Sequence, residues 1–299
     1  GAGSGVHSFD QLENQLDRLN IAVQQRDRVW NLLDNSDFRK PVNQRGASSV
    51  TANWGYIIDR WAAPAASEAT PISVSSSGVK LQNAKGTSTM SLRQLIENVP
   101  NGRYTAAADI NGTVCLRVFT LTDGTISNAS GTGSPEGQVY TDFRDSMLRF
   151  YVQAFAGYDV TCKWAALYEG EYTAETLPAY MPKGYTAELM ECQRYFWRCM
   201  NTYHAEGIGY AYSNTQFRGY IVTPQTLKSD NLTMAAATGD TTSYGIKVCL
   251  NSGKSVAPTA ATIRSTPNRI MITLTGSFTS GELGVLRIES SYLDFSADL

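Results

Sequence analysis

The sequence is short of charge, nearly without histidine, and has no long apolar run. Asp, Glu, Lys and Arg together make up 17% of its 299 residues, against about 25% in an average soluble protein. With a net charge of −2 the chain lacks the positive field of a nucleic-acid or anionic-membrane binder, so no nucleic-acid partner is expected. No apolar stretch approaches the roughly 20 residues that span a bilayer, so no membrane insertion is expected either. The two histidines, His7 and His204, leave His204 as the one credible base for a nucleophilic triad. No G-x-S-x-G elbow, phosphate-cradling loop or dinucleotide fingerprint accompanies it. The five cysteines, Cys115, Cys162, Cys192, Cys199 and Cys249, are odd in number and lack metal-ligand spacing, which argues against a zinc site. They fit thiols used as small core residues in a reducing compartment. No metal, no cofactor and no enzymatic activity are expected. Glycan cleavage by paired carboxylates is the hardest activity to set aside, because space and not sequence chooses the pair. The nearest local pairs are Asp142 with Asp145, Glu169 with Glu171, and Glu188 with Glu191, and a solvated face is the simpler account of the last two.

What replaces the missing charge is Thr, Ser, Asn, Gly and 16 Tyr. The expected fold is mainly β, introduced by a helix. Phe9, Leu12, Leu16, Leu19, Val23, Arg26, Trp30 and Leu33 step alternately by three and four, a heptad seam broken only by Arg26. Ser8 with Gln11 makes a capping-box start, and Asn35 with Ser36 a stop. The resulting rod would be roughly 37 Å long. The bulk of Phe9 and Trp30 favours three or more chains over two; the alternative is a single helix docked on its own domain.

From about residue 50 to 168 the period becomes two. Strands are expected near Val79–Leu81, Tyr104–Ile110, Val114–Phe119, Met147–Phe155 and Val160–Leu167. Asn101-Gly102 and Asn111-Gly112 read as hairpin turns, and Gly124 to Gly137 as a loop. A connector over 169–184 precedes a second short helix, from about Thr186 to Met200, with a seam of Tyr185, Leu189, Cys192, Phe196 and Cys199. Further strands are expected at Tyr210–Tyr212, Phe217–Val222, Leu232–Ala236, Tyr244–Leu250, Ile263, Ile270–Leu274 and Val285–Ile288. The expected organisation is therefore a cloning remnant and disordered start over 1–7, a coiled-coil stem over 8–34, an antiparallel β-sandwich over 35–183, and a linking helix with a second β-sandwich or tip over 184–299. No signal peptide is expected after the first residues.

Two stretches carry a resemblance. One is Asn31 to Phe38, Pro41 to Gly46 and Tyr56 to Trp61. The other is Cys192-Gln193-Arg194-Tyr195-Phe196, reached through Trp164 to Gly170 and Pro182 to Tyr185. In this order they resemble the tail-fibre, or receptor-binding, proteins of tailed bacteriophages and prophages. The likeness covers roughly residues 30 to 200 and extends to the last hundred only in general character. It implies a homotrimer with a helical stem, a jelly roll similar to carbohydrate-binding modules, and a β-rich tip. It further implies a virion location after folding in the bacterial cytoplasm, other phage tail proteins as partners, and adsorption to a bacterial surface glycan. A structural tail connector without sugar binding and a glycan depolymerase tail spike are the competing expectations.

Two clusters are candidate recognition sites. Trp54, Tyr56, Asp59, Arg60 and Trp61, with Gln44 and Arg45, suit a sugar platform, but a buried first strand whose Asp59–Arg60 pair pins a turn is favoured. Tyr203, His204, Tyr210, Tyr212, Asn214, Gln216 and Tyr220, with Phe217 and Arg218 among them, offer amphipathic rings beside amides, as glycan or protein-surface recognition requires. Tyr210, Tyr212 and Tyr220 are expected on one face of a strand pair, with Asn214 and Gln216 at its turn. Interchain packing is the competing use of the same residues.

Overall fold

The computed structural model describes residues 12–17, 29–51, 55–64, 71–202, 206–228, 232–237 and 243–298. The chain is mainly β, and its paired strands are antiparallel. The first unit contains β1 (Ser49–Thr51), β2 (Gly55–Ile58), β3 (Trp61–Ala63), β4 (Pro71–Ser75), β5 (Gly78–Leu81), β6 (Met90–Glu97), β7 (Gly102–Ile110), β8 (Thr113–Thr122), β9 (Thr125–Thr132), β10 (Gly137–Arg144), β11 (Met147–Ala154) and β12 (Val160–Glu169). They form a seven-stranded sheet ordered β1-β4-β5-β12-β7-β8-β9 and a five-stranded sheet ordered β10-β11-β6-β3-β2. One continuous core lies between them, from Trp61 and Phe150 to Phe119 and Leu167. Strand β11 shows how the pattern builds it: Leu148, Phe150 and Val152 are fully buried while Arg149, Tyr151 and Gln153 are half-buried on the other face. Phe38 and Phe150 meet the Trp61 ring edge-on at 4.9 and 5.9 Å, the geometry that the aromatic quadrupole favours.

The second unit begins with α1 (Tyr185–Cys192) and continues through β13 (Phe196–Met200), β14 (Gly207–Ala211), β15 (Gln216–Val222), β16 (Thr233–Ala236), β17 (Ile246–Leu250), β18 (Ser255–Val256), β19 (Ala260–Thr266), β20 (Arg269–Thr275), β21 (Leu283–Ile288) and β22 (Tyr292–Ser296). A three-stranded sheet, β13-β22-β16, packs on the inner face of a seven-stranded sheet, β18-β17-β21-β14-β15-β20-β19. Phe217, Ile272, Leu274, Leu286, Leu293 and Phe295 are fully buried between them. The Phe217 ring lies directly beneath Gly209, where an added Cβ would meet its Cε1 at 2.7 Å and the Arg218 carbonyl oxygen at 2.1 Å.

Several expectations are corrected. A stem helix running to residue 34 is not observed: residues 12–17 are helical, but 29–34 are not. Phe9, Leu19, Val23 and Arg26 of the expected seam lie outside the described residues, Leu12 and Leu16 are exposed, and Trp30 is 64% exposed. Leu33 instead enters the sandwich core. The cause is an anchor that a heptad reading cannot see: Asn31 Oδ1 accepts from Leu167 N at 2.9 Å and its Nδ2 donates to Ala165 O at 3.1 Å. Leu32 N then donates to Leu167 O at 2.9 Å, and Phe38 N to Lys163 O at 2.9 Å. Residues 31–38 thus run along β12 where β5, paired only with residues 160–162, no longer does.

The expected second helix to Met200 ends at Cys192, because residues 196–200 pair with β22 over five register positions. Its buried side chains are Glu188 and Cys192, whereas Tyr185 is exposed. The stretch Gly124–Gly137 holds an edge strand, β9, rather than a loop; its exposed side chains need no apolar alternation, since pairing with β8 supplies its order. Asn111-Gly112 does turn the β7–β8 hairpin, with φ of 50° and 83°. Asn101-Gly102 does not turn a hairpin: it leads from β6 in one sheet to β7 in the other. Four of the five cysteines are buried, and none forms a disulfide.

Candidate functional site

Pairing register decides what the second unit shows to solvent. Residues directly opposite on neighbouring strands share a face. Tyr210 lies opposite Arg218 and Leu283, Ile208 opposite Tyr220 and Val285, and Arg218 opposite Thr273, which is opposite Thr262. Since Phe217, Ile221, Ile272 and Leu274 occupy the buried face, all of the former point outward. Three of the expected residues, Tyr210, Tyr212 and Tyr220, meet here with Gln216. Asn214 is at the β14–β15 turn, where its Oδ1 accepts from Ser280 N at 3.1 Å. Tyr203 and His204 lie outside the described residues.

The outer face has two adjoining concavities. One, of about 700 Å³, is apolar and is lined by Ile208, Tyr210, Tyr220, Cys249, Leu283 and Val285, among others. The other, of about 340 Å³, is polar and is lined by Tyr212, Gln216, Arg218, Thr262, Arg264, Met271 and Thr273. In it the Arg218 guanidinium lies 4.7 Å from the centre of the Tyr212 ring, and the Tyr212 hydroxyl donates to Gln216 Oε1. Arg218 Nε is shielded from solvent and has no acceptor among the described residues. Arg269 stands 5.7 Å from the Tyr220 ring. The sequence drew attention to one hairpin of this face; Thr262, Arg264, Met271, Thr273, Leu283 and Val285 come from strands roughly 40 to 80 residues away. Their signal was the alternation in β19, β20 and β21, which names an outward face but not its neighbour.

The first candidate cluster has a different fate. Trp54 lies outside the described residues, and Trp61 is fully buried, its Nε1 donating to Asn35 O at 2.9 Å and to Asp34 O at 3.1 Å. The other members form the joint between the two β units. Asp59 accepts from Gln44 Nε2 at 2.7 Å and from Arg45 Nη1 at 2.8 Å. Arg45 also pairs with Asp298 and stacks over the Phe196 ring at 3.7 Å. Arg60, at φ 72°, stacks over Tyr195 at 3.5 Å and donates to Leu95 O at 2.8 Å. Gln44 Nε2 reaches Phe196 O at 2.8 Å, and Asn35 N donates to Glu188 Oε2 at 2.6 Å. Burial holds the Asp59, Asp298 and Glu188 carboxyls above their ordinary range despite these donors, and pushes the Tyr56 phenol up to about 12. These residues bind the chain to itself.

The local carboxylate pairs are likewise engaged singly. Asp142 accepts from Arg149 Nη2 at 2.6 Å, Glu171 pairs with Arg103 at 3.0 Å, and Glu191 with Arg194 at 3.3 Å. Among the described residues no three His, Cys, Asp or Glu side chains gather as metal ligands. Compared with protein-family models, with curated proteins and with solved structures, the chain matches none.

Proposed function

We propose that this chain is a receptor-binding tail-fibre protein of a phage or prophage, and that the outer face of the C-terminal sheet adsorbs to a bacterial surface glycan. The observation that carries the reading is the pair of adjoining concavities on that face, with tyrosines between an apolar and a hydroxyl- and guanidinium-lined half. Rings stack on the apolar faces of sugars, while amides, hydroxyls and guanidiniums bond to their oxygens. The first sandwich is read as the jelly-roll module of the resemblance, and the joint as the device that fixes it to the tip. Leu12 and Leu16 share one face of the helical residues 12–17, exposed to solvent. A homotrimeric coiled coil through Phe9, Leu12, Leu16, Leu19, Val23 and Arg26 would cover them. Three copies on one stem would gain avidity from geometry without any new contact.

A second reading is favoured by one observation: Ile208 and Leu283 are 71% and 61% exposed beside the apolar concavity. Such a patch also suits docking against another tail protein, in which case the chain is a structural connector. Binding of the purified protein to a bacterial glycan array, with a reducing-end assay alongside, separates the readings. Saturable binding without cleavage supports the adhesin, no binding at any density supports the connector, and new reducing ends would make it a depolymerase.

A further inference from the structure

Resting on the adhesin reading, we infer that the polar concavity takes an acidic group, a carboxylate or phosphate, borne by the polysaccharide. The argument is one of unmatched charge. Alternation places Arg218, Arg264, Arg269, Arg287 and Lys247 on the outer face of the sheet. Among the described residues its carboxylates are Glu289, paired with Lys247 at 2.6 Å, and Glu206, which accepts from Thr202 Oγ1 at 2.6 Å. Neither lines the polar concavity. Arg218 and Arg264 therefore face one small hollow together, with no carboxylate paired to either among the described residues, in a chain whose net charge is −2. Of these five outer-face cations, Arg218 has an Nε that is hidden from water and lacks an acceptor among the described residues.

Two half-buried guanidiniums elsewhere in this molecule do have their anion. Arg198 holds Asp294 through Nε and Nη2 at 2.7 and 2.8 Å, and Arg149 holds Asp142 at 2.5 and 2.6 Å. Leaving a shielded donor unsatisfied is unfavourable, and more so when it is charged. The hollow thus lacks the acceptor that a bidentate carboxylate or phosphate supplies, and such charge-assisted pairs are about twice as strong as neutral ones. The Tyr212 ring beside the guanidinium braces its plane. Thr262, Thr273 and Gln216 add neutral groups for ring hydroxyls, and the adjoining Tyr210 and Tyr220 receive the apolar side of the sugar.

The test reads the side-chain Nε–H resonances of arginine in the full chain, titrated at constant ionic strength with galacturonate, with inorganic phosphate and with galactose. The expected result is a saturable shift of the Arg218 and Arg264 signals with at least one anion and none with galactose. Which anion acts separates a uronate-type from a phosphate-type receptor. Arg264→Gln should weaken the Arg218 response at least about tenfold, while Arg144→Gln, an exposed arginine of the first sandwich, should leave it unchanged. No shift with either anion, an equal shift with galactose, or an unaltered response in Arg264→Gln overturns the assignment. If that failure is accompanied by saturable binding to neutral glycans on the array, only the acidic-group assignment falls; if nothing on the array binds, the adhesin reading falls with it.

Discussion

The joint between the two β units and the outer face of the C-terminal sheet are made of the same residue types, arginine, tyrosine and amides, but among the described residues only the arginines of the joint are paired with carboxylates. At the joint Arg45 meets two carboxylates and a ring, Arg60 the Asp34 carboxylate at 3.2 Å, a carbonyl and a ring, and Arg198 a carboxylate, the Arg45 carbonyl at 3.0 Å and the Tyr292 ring at 3.7 Å. On the outer face Arg218 and Arg269 have rings from their own chain but, among the described residues, no anion, and a shielded N–H of Arg218 has no acceptor there. Composition alone marks both as recognition surfaces. Among the described residues Arg60 Nη1 and Asp298 Oδ1 at the joint also lack a hydrogen-bond partner, so it is the missing carboxylate, and not the unmatched donor alone, that sets the outer face apart.

Breaking the comparison at the joint should have the largest effect. Arg45→Ala leaves the fully buried Asp59 carboxylate, and Asp298 with it, without their shared cation. Stranding a buried charge costs about 3–5 kcal/mol, which thermal or denaturant unfolding should register as a large loss of stability. Equal stability of the variant would mean that the joint is not held by this network.

The joint should also respond to pH in a defined sense. Burial raises the native pKa of Asp298 above its ordinary value of 3.8, so the native state holds that proton more tightly than the unfolded chain. Its favourable contribution is complete below the unfolded value and is lost as pH rises through the raised native one. Asp298→Asn should therefore gain on the wild type, in relative melting temperature, as pH rises from about 4 toward neutrality. A constant difference across that range would contradict the assignment.

Smaller effects are expected on the outer face. Leu283→Ser should change stability by no more than about 0.5 kcal/mol, because the side chain already faces water. If the apolar concavity receives a sugar or a protein, the same change should weaken that binding. The smallest stability effect belongs to Arg218→Gln: removing a cation with a shielded, unmatched donor should be neutral or slightly stabilising by chemical denaturation, with binding of an acidic ligand reduced about tenfold. A marked destabilisation would place Arg218 with the structural arginines of the joint.

Legibility in the sequence follows the range of the interaction. Strands such as β11 and β20 were readable because alternation is local, and so was the Asn111-Gly112 turn. The end of the stem helix was not, since Leu33 continues the heptad by spacing and yet is drawn into the core by Asn31 bonds to residues more than a hundred positions away. Phe196 and Cys199 fit a helical seam equally well until β22, from the far end of the chain, pairs with them. Tyr210, Tyr212, Gln216 and Tyr220 were found because one hairpin carries them. The guanidinium-lined half of the face was not assembled, because Arg264 reaches it only through the β19–β20–β15 register. The stacking of Arg45 on Phe196, and its bond to Asp298, are equally long-range.

The most direct test of the central claim is oxidative footprinting of the full chain with and without the glycan that it binds most tightly on the array. Recognition by the outer face predicts protection of Tyr212, Tyr220 and Met271, with Met181 and Tyr158, exposed on the connector and the first sandwich, oxidised at unchanged rates. Protection confined to the first sandwich, with the C-terminal face unaffected, would contradict it.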